Sequence, residues 1–287
     1  MNSGVGSIRI GILVDNEARP GLLAEHGFSA LIEAAGRRIL FDSGQGPALE
    51  HNAVALAAGL HDVDTLVLSH GHFDHSGGLP WVLERAPAAV VCCHPAALIP
   101  RYSISDGQAR PVDMPDPARA ALLGLPPGRV RWIDGPVQLA PGVDLSGPIP
   151  RRTEYEDTGG PFFIDPDGDY PDQIVDDQAL WLRTGAGLIV VTGCSHSGLI
   201  NTLRYAQRQS GVERIRAVIG GFHLVHASVA RLERTTEALR ELSPDSIVAC
   251  HCTGEESREL LRRMIGESIA YGQAGSVLEF DGADTRR

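Results

Sequence analysis

The feature that most constrains this chain is a run of four potential metal ligands within six residues. The segment reads Leu68-Ser69-His70-Gly71-His72-Phe73-Asp74-His75, an H-x-H-x-D-H pattern. In extended backbone His70 and His72 point to the same side, which suits two imidazoles on one ion. Imidazole nitrogen and carboxylate oxygen suit Zn²⁺, with Mn²⁺ or Fe²⁺ as alternatives. The pattern therefore predicts a metal-binding loop, with Asp74 and His75 turned towards a second position.

The loop must belong to a fold that brings further ligands to it from distant parts of the chain. It follows a predicted strand, Val63–Leu68, and precedes an apolar helical stretch. We expect Gly71, Gly77 and Gly78 to supply the unusual backbone angles of the turn. Because one loop cannot complete two coordination spheres, more ligands are needed from elsewhere.

Three later histidines occupy similar positions, each after a predicted strand and small residues. They are His196, His223 and His251. Strand ends along one edge of an α/β sheet are where ligands converge. We therefore predict that these three lie beside the loop, with His226 as a reserve candidate because it is close to His223.

The cysteines offer an alternative metal site. Their number, five, argues against a full disulfide framework. Cys194, Cys250, Cys252 and His196 would supply four ligands for a closed structural zinc site. However, Cys250 and Cys252 are separated by one residue, which is not the usual spacing of such a pair. We favour the interpretation that these cysteines are small packing residues behind the metal ligands.

Apolar runs of strand length alternate with helical patterns along most of the chain, which predicts an α/β protein. The predicted strands are Ile8–Val14, Phe28–Ala34, Arg37–Phe41, Val63–Leu68, Ala88–Cys93, Ala179–Arg183, Leu188–Thr192, Arg216–Ile219, Ile247–Ala249 and Val277–Phe280. The predicted helices are Leu49–Ala58, Ser197–Arg208, Ala227–Leu242 and Glu255–Ile265.

A proline-rich segment interrupts this alternation. Residues 100–171 hold 13 of the 19 prolines, and we predict an insertion that covers the active site. The alternative is a surface excursion with short strands such as Val130–Ile133. Arg151 and Arg152 are candidates to bind a phosphate or carboxylate of the substrate, unless they belong to a solvated charge run. Asp176 and Asp177, ahead of the next strand, are interpreted as a turn.

The charge balance narrows the choice of partners. Twenty-five basic and thirty-six acidic residues give a net charge of −11, which argues against nucleic acid. No apolar run is long enough for a membrane span, and no signal peptide is visible at the N-terminus. The expectation is a cytoplasmic protein with a small-molecule substrate, no membrane partner and an oligomeric state that the sequence leaves open.

Taken together, the motifs resemble those of the metallo-β-lactamase superfamily. The resemblance rests on the His70–His75 run, on the histidines at later strand ends and on Asp42 in Leu40-Phe41-Asp42-Ser43-Gly44. It covers nearly the whole chain. It implies a single domain over residues 1–287, an α/β four-layer αβ/βα sandwich with the metals at one edge between two sheets.

The resemblance also implies two divalent metal ions, Zn in the first place and Mn or Fe as alternatives. It implies two donor sets: His70, His72 and His196, and Asp74, His75 and His251. Asp42 would hydrogen-bond to the metal loop without ligating. The superfamily commonly supplies an Asp that bridges both metals, where this chain reads Gly220-Gly221-Phe222-His223. Either His223 takes a place near the metals or the bridging ligand is absent.

The implied activity is that of a metallohydrolase in which metal-bound hydroxide attacks a phosphoester or a related small molecule. Asp74 would bind a metal and orient the hydroxide, and His223 is the second candidate catalytic residue. Several segments also resemble the branch of 7,8-dihydropterin-6-yl-methyl-(ribofuranosyl)aminobenzene 5′-phosphate synthase-like proteins. They are Asp15–Glu17, Glu25–Ser29, Asp176–Ala179, Gly193–His196, Gly220–Leu224 and Cys250–Gly254. Two alternatives therefore stay open: a pterin-linked synthase, and a non-catalytic metal-containing ligand-binding protein.

Overall fold

The computed structural model describes residues 5–282, in which two seven-stranded sheets face each other. The strands, in chain order, are β1 (Ile8–Val14), β2 (Ser29–Ala34), β3 (Arg37–Phe41), β4 (Thr65–Val67), β5 (Val90–Cys93), β6 (Tyr102–Ser105), β7 (Gln108–Pro111), β8 (Val130–Trp132), β9 (Val137–Ala140), β10 (Val143–Leu145), β11 (Phe162–Phe163), β12 (Ala179–Thr184), β13 (Gly187–Thr192), β14 (Ile215–Gly221), β15 (Ser246–Cys250), β16 (Ile269–Tyr271) and β17 (Val277–Phe280).

The helices lie between these strands. The α-helices are α1 (Pro47–Ala55), α2 (Phe73–Ser76), α3 (Leu79–Arg85), α4 (Asp116–Leu123), α5 (Leu199–Ser210), α6 (Val229–Leu242) and α7 (Glu255–Ile265). Short 3₁₀ turns are formed by Leu60–Asp62, Pro95–Leu98 and His251–Thr253. Among the described residues, no helix is both long and apolar enough to cross a bilayer.

Both large sheets change from antiparallel to parallel pairing partway across. The first sheet has the order β17-β1-β2-β3-β4-β5-β8, and its pairs are parallel from β3 to β8. The second has the order β16-β15-β14-β13-β12-β10-β9, and its pairs are parallel from β13 to β16. Parallel neighbours end at the same edge, so the loops after β3, β4, β13, β14 and β15 can meet there.

The position of β13 in the fold explains why its sequence is an unbroken apolar run. All six of its residues are buried, because the strand is covered on both faces. Ile189 and Val191 point into the core between the two sheets, whereas Leu188 and Val190 point towards the helices outside. Each face therefore packs against a different layer.

Helices complete the outer layers. Leu49, Leu79 and Leu122 bring α1, α3 and α4 onto the first sheet. The buried residues Leu203, Leu239 and Leu261 do the same for α5, α6 and α7 on the second. The result is the αβ/βα four-layer sandwich, so the α/β prediction is confirmed.

The proline-rich segment is more regular than the sequence indicates. It contains α4 and the strands β6 to β11, of which only β8 is close to a predicted element. β8 extends the first sheet beside β5, while β9 and β10 extend the second beside β12. β6, β7 and β11 form a separate three-stranded sheet. Strands of two to four residues are too short to show a period, and distant partners stabilise them.

Candidate metal centre

The strand ends of both large sheets bring the predicted site residues together at one edge. His70 follows β4, His196 follows β13 and His251 follows β15. The ring centroids of His70 and His196 are 4.7 Å apart, and those of His75 and His251 are 5.1 Å apart. Residues that are far apart in the sequence thus form one cluster of polar side chains.

The first donor set consists of His70, His72 and His196. His70 Nε2 lies 3.0 Å from His72 Nδ1, and the rings of His72 and His196 are 4.9 Å apart. His196 Nε2 is buried and makes no hydrogen bond to any described residue. The three rings therefore present nitrogen atoms to a common space.

The second donor set consists of Asp74, His75 and His251. Asp74 Oδ2 lies 3.2 Å from His251 Nε2 and 3.7 Å from His75 Nε2. His251 Nε2 is buried and lacks a hydrogen bond of good geometry within residues 5–282. Asp74 also contacts His26, whose Nε2 is 3.2 Å from the same carboxylate oxygen.

His26 is a site residue that the strand-end pattern missed. Its side chain is 58% exposed, so it stands at the open side of the second donor set. It precedes the strand β2 and does not follow one, which is why the strand-end criterion passed over it. The only signal was its place in the Glu25–Ser29 segment, which resembles the synthase-like branch.

The outer ring nitrogens are fixed by hydrogen bonds. The partners of these Nδ1 atoms are Ser69 Oγ for His70 at 2.9 Å, Asp42 Oδ2 for His75 at 2.7 Å, the Thr158 carbonyl for His196 at 2.7 Å and Asn16 Oδ1 for His251 at 2.8 Å. An acceptor at Nδ1 holds the proton on that atom. Each Nε2 is then left with a lone pair that can bind a cation.

Asp42 is the centre of this supporting network. Its carboxylate accepts hydrogen bonds from the Ser69 backbone N–H at 2.6 Å, from Ser69 Oγ at 2.7 Å and from His75 Nδ1 at 2.7 Å. Asp42 is fully buried and follows β3 with a φ of 62°. It holds the metal loop without facing the donor cluster.

Four residues at this edge adopt left-handed backbone conformations. They are Asp42, Ser195, His223 and His251, with φ values from 44° to 62°. Such conformations are uncommon for residues other than glycine, and they cluster where the structure around them enforces them.

The glycines of the metal loop do not have this role. Gly71 has no positive φ, and a Cβ there would lie 2.2 Å from the Ala97 carbonyl oxygen. The expectation of unusual angles at Gly71, Gly77 and Gly78 was wrong, because all three have ordinary φ values and it is close packing against neighbouring backbone that requires glycine there.

Burial and neighbouring charges set the protonation of the cluster. Burial lowers the pKa of His70, His72 and His196 well below the usual range, which keeps these rings neutral. Burial also opposes protonation of His75, but Asp42 and Asp74 outweigh it and raise the pKa of His75 to about 9. Burial likewise opposes ionisation of Asp74, yet His75 and His251 hold its pKa well below the usual range.

One cysteine lies among the donors and not behind them. Cys194 Sγ is 3.1 Å from His75 Nε2. It lies within 4.8 Å of donor atoms in three groups: with His70 and His196, with His75 and His251, and with His223 and Cys252. The prediction of a packing role was therefore wrong for Cys194, because the turn after β13 carries its side chain into the cluster.

The closed zinc site formed by sulfur is not assembled. Cys250 belongs to the apolar core between the sheets, and its Sγ contacts the Val248 carbonyl at 3.6 Å. Cys250 is the last residue of β15, whereas Cys252 lies in the 3₁₀ turn His251–Thr253 that follows, and this turn carries its side chain away from Cys250. Cys250 does pack as expected, whereas Cys194 and Cys252 do not share a site with it.

His223 lies on the outer side of His196. The two ring centroids are 4.3 Å apart, and His223 Nδ1 has no hydrogen-bond partner in the part of the chain that the structure describes. Its backbone N–H donates to Cys252 Sγ at 3.3 Å. Ligation by His223 stays a prediction.

The segment Gly220–Gly221, where a bridging acid would be expected from the resemblance, has no room for a side chain. A Cβ at Gly221 would lie 2.4 Å from the Gly193 carbonyl oxygen and 2.6 Å from Cys252 Sγ. A Cβ at Gly220 would lie 2.0 Å from the Thr192 carbonyl oxygen. The close approach of β14 to the loop after β13 therefore requires glycine at both positions.

The proline-rich segment contacts the cluster directly. The Phe162 ring lies 5.1 Å from His72, 5.4 Å from His196 and 5.8 Å from His223. Glu156 accepts hydrogen bonds from the first backbone N–H groups of α5, at Ile200 and Asn201 (2.8 and 2.9 Å), which stabilises the helix that follows His196.

A buried ion-pair network contacts the backbone of the metal loop, and the sequence did not predict this network. Arg101 is fully buried and donates to Asp172 at 2.7 Å and to Asp176 at 3.0 Å. Asp176 Oδ2 in turn accepts the Gly71 backbone N–H at 2.8 Å. Asp176 is thus more than a turn residue, because it joins Arg101 to the metal loop.

The predicted anion-binding arginines have different surroundings. Arg151 donates to the backbone carbonyls of Gln173 at 3.0 Å and His196 at 2.6 Å, whereas Arg152 is exposed. Contact with a substrate anion stays a prediction for both.

The donor cluster fits divalent metal ions. Neutral imidazoles and a carboxylate are what Zn²⁺ and related ions bind. A buried polar atom without a partner costs about 1–3 kcal/mol, and a cation would remove that cost at His196 Nε2. The observed separations of 3.0 to 3.7 Å within the donor sets are close to the spacing of about 3.5 Å between ligands of one tetrahedral zinc ion.

Comparison with known proteins agrees with this geometry. The profile of the Metallo-beta-lactamase superfamily matches residues 23–208. The chain belongs to this superfamily. Its fold is that of the superfamily's metal-dependent hydrolases.

Relatives cover almost the whole chain. A protein of Methanocaldococcus jannaschii, named only as uncharacterized, is 34% identical over 94% of this chain and 99% of its own length. The 7,8-dihydropterin-6-methyl-4-(beta-D-ribofuranosyl)-aminobenzene-5'-phosphate synthase of the same organism is 30% identical over 98% of this chain and 99% of its own. The crystal structure of Tm1679, a metal-dependent hydrolase of the beta-lactamase superfamily, superposes with a TM-score of 0.82 at 32% identity. That match covers 96% of this chain and 99% of the other.

Proposed function

We propose that the protein is a dinuclear metallohydrolase that acts on a phosphoester or a related small anionic substrate. The observation that supports this most is a pair of buried ring nitrogens, one in each donor set: His196 Nε2 makes no hydrogen bond to a described residue, and His251 Nε2 has only the carboxylate of Asp74, 3.2 Å away. A metal in each set would account for both. Divalent ions bound there would acidify water and polarise the bond to be broken.

The protein side chains have distinct tasks in this proposal. His70, His72 and His196 would hold one ion, and Asp74, His75 and His251 would hold the other. Asp42 keeps a proton on His75 Nδ1, 2.7 Å away, so that Nε2 of this ring stays available. The apolar ring of Phe162 excludes water from the side of His72 and His196.

Two groups are placed to handle protons at the edge of the site. His26 is exposed, and its Nε2 contacts Asp74 at 3.2 Å, so it is positioned to give a proton to a leaving group. His223 Nδ1 makes no hydrogen bond to a described residue, so it is free to hold a proton beside His196. In this proposal Asp74 both binds the second ion and orients the attacking water.

The test is the turnover of an aryl phosphodiester by protein reconstituted with Zn²⁺, Mn²⁺ or Fe²⁺. We expect activity in the wild type, its loss on chelation, and a drop of at least 100-fold in His72→Ala. His61→Ala is the matched control, because His61 is 74% exposed and lies outside the donor sets. Metal-loaded wild type that cleaves no phosphoester, ester, lactone or thioester would refute the proposal and favour a ligand-binding protein.

A second candidate is a pterin-linked synthase. The alignment with the M. jannaschii relative of this name covers 98% of this chain and 99% of the relative, which favours a related substrate. Fluorescence titration with a reduced pterin would separate the two candidates. Micromolar binding together with no hydrolysis would favour the synthase, and no pterin binding would exclude it.

A further inference from the structure

We propose that Cys194 supplies a thiolate ligand shared by the two metal positions. The inference rests on the proposed function only in that both donor sets bind metal. It extends the site by a sulfur donor from the turn after β13. Neither the histidine motif nor the strand-end histidines indicate it.

The position of the sulfur atom is the first argument. Cys194 Sγ shares a donor group with His70 and His196 of the first set, and another with His75 and His251 of the second. Its separation from His75 Nε2 is 3.1 Å, comparable to the distances within the donor sets themselves. Within residues 5–282, no other side chain belongs to three such groups.

The surroundings of Cys194 differ from those of an ordinary buried cysteine. Cys250 is equally buried, but it packs among aliphatic side chains between the sheets. Cys194 instead faces imidazole rings and Cys252, with 2% of its surface exposed. A thiol is a weak donor and gains little from such polar neighbours, whereas a thiolate is a strong metal ligand.

The backbone fixes the sulfur in this position. Ser195 adopts a φ of 57°, and its Oγ donates to the Gly221 carbonyl at 2.9 Å. The Gly221 N–H donates to the Gly193 carbonyl at 3.0 Å. Cys194 is thus held between two residues tied to β14, and its side chain has little freedom to leave the cluster.

The sulfur also explains why β14 carries no bridging acid. The space that a side chain at Gly221 would enter is filled by Cys252 Sγ, 2.6 Å from the Cβ position. Cys252 Sγ lies within 4.8 Å of Cys194 Sγ. A side chain at position 221 is therefore excluded by Cys252 Sγ and by the Gly193 carbonyl oxygen, and the nearest sulfur donor to the ring nitrogens of the two donor sets is Cys194.

The chemistry of binding is a simple exchange. The thiol gives its proton to solvent as the bond between sulfur and metal forms, and no electron is transferred. Thiolate is a soft ligand and favours Zn²⁺ over Mn²⁺. Cys194 therefore narrows the choice among the metals that the histidine motif allows.

The test is X-ray absorption at the zinc edge on the zinc-loaded full-length protein. Sulfur scatters at about 2.3 Å from zinc and nitrogen or oxygen at about 2.0–2.2 Å, so the two are resolved. We expect a sulfur shell in the wild type that disappears in Cys194→Ser and persists in Cys252→Ser. Cys92→Ala is the matched control, because Cys92 is buried in the core away from the donor sets.

The outcomes separate this inference from the proposed function. A wild-type spectrum with only nitrogen and oxygen neighbours overturns the sulfur ligand and leaves the metallohydrolase intact. A sulfur shell that vanishes in Cys252→Ser but not in Cys194→Ser would show that Cys252 is the ligand, and it would also overturn the inference. Failure of the wild type to bind zinc overturns this inference, whereas the metallohydrolase proposal is then decided by its own test with Mn²⁺ or Fe²⁺. The wild-type spectrum is recorded on unmodified protein. It can therefore refute the inference even if a variant does not fold.

Discussion

Replacing Asp42 by Asn tests how the buried carboxylate controls the second donor set. Asp42 Oδ2 receives two donors, Ser69 Oγ–H and His75 Nδ1–H, and Oδ1 receives the Ser69 backbone N–H. An amide has one acceptor oxygen, so its NH₂ group must face at least one of these donors. Asn tolerates the φ of 62°, so the backbone itself is not strained by the change.

Two effects on metal affinity then oppose each other. Loss of a partner behind a ligating histidine weakens metal binding about 10–100-fold. However, Asp42 also raises the pKa of His75 to about 9 in the metal-free protein, so that a proton competes with the metal. At about pH 7.5 a group with that pKa is roughly 30-fold more often protonated than neutral. In Asp42→Asn the charge that raises this pKa most is gone, so the proton competes much less with the metal at His75.

The expected result is therefore a pH-dependent difference. Near pH 10 the proton no longer competes, and the wild type should bind the second zinc ion about 10–100-fold more tightly than Asp42→Asn. Near pH 7.5 the difference should shrink to about threefold or reverse, because 10–100 is divided by roughly 30. We also expect the variant to lose about 1.5–3 kcal/mol of its free energy of unfolding with the charged hydrogen bonds.

Competition with a chromophoric zinc chelator across pH 7 to 10 measures the affinity, and urea unfolding measures the stability. Asp144→Asn is the matched control. That carboxylate is half-buried and pairs with Arg183 at 3.0 Å, away from the donor sets. A difference in affinity that is the same at both pH values, or none near pH 10, would refute the role of Asp42.

Three further predictions concern the supporting residues. Burial raises the pKa of Asp177 from 3.8 to about 6, so the folded state binds more protons and wild-type stability falls as pH rises through that window. Asp177→Asn should gain up to about 3 kcal/mol relative to wild type between pH 4 and 7 (2.2 × 1.36), as measured by unfolding of the metal-free protein. Arg101→Met leaves buried carboxylates unpaired and should cost about 3–5 kcal/mol by urea unfolding. Gly221→Ala forces a Cβ to 2.4 Å from the Gly193 carbonyl oxygen and should cost about 1–3 kcal/mol and reduce zinc stoichiometry by atomic absorption.

Each of these predictions has a control variant or an outcome that would contradict it. For Asp177→Asn, an unchanged difference across pH 4 to 7 would show that burial does not raise this pKa. Arg9→Met breaks a half-exposed ion pair and should cost less than about 1 kcal/mol; an equal loss in Arg101→Met would contradict the buried network. Gly11→Ala adds a Cβ with no atom within 4 Å, so equal effects at Gly11 and Gly221 would contradict the steric argument.

The contiguous part of the site could be read from the sequence. His70 to His75 lie in one loop, and the unbroken apolar run Leu188–Thr192 predicts the strand that the structure shows as β13. Both are local patterns, set by the spacing of neighbouring residues. The strand-end histidines were also within reach, because parallel strands end at a shared edge.

Other parts could not be read in this way. His26 precedes a strand, and it reaches Asp74 only because the loop before β2 lies against the metal loop. Arg101 and Asp176 are separated by 74 intervening residues, and neither belongs to a motif that predicts the other. The short strands β9 and β10 have no periodicity of their own: β10 depends on pairing with β12, and β9 on pairing with β10.

The sequence by itself predicted the α/β class and most residues of the candidate donor cluster, because the alternation of elements and the His70–His75 run are patterns of local spacing. Only the tertiary structure decided what surrounds those donors. It placed Cys194 among the rings, filled the space of a bridging acid with Cys252 and set Asp42 behind His75. The physical reason is that metal-site chemistry depends on distances of a few ångströms between segments that are far apart along the chain.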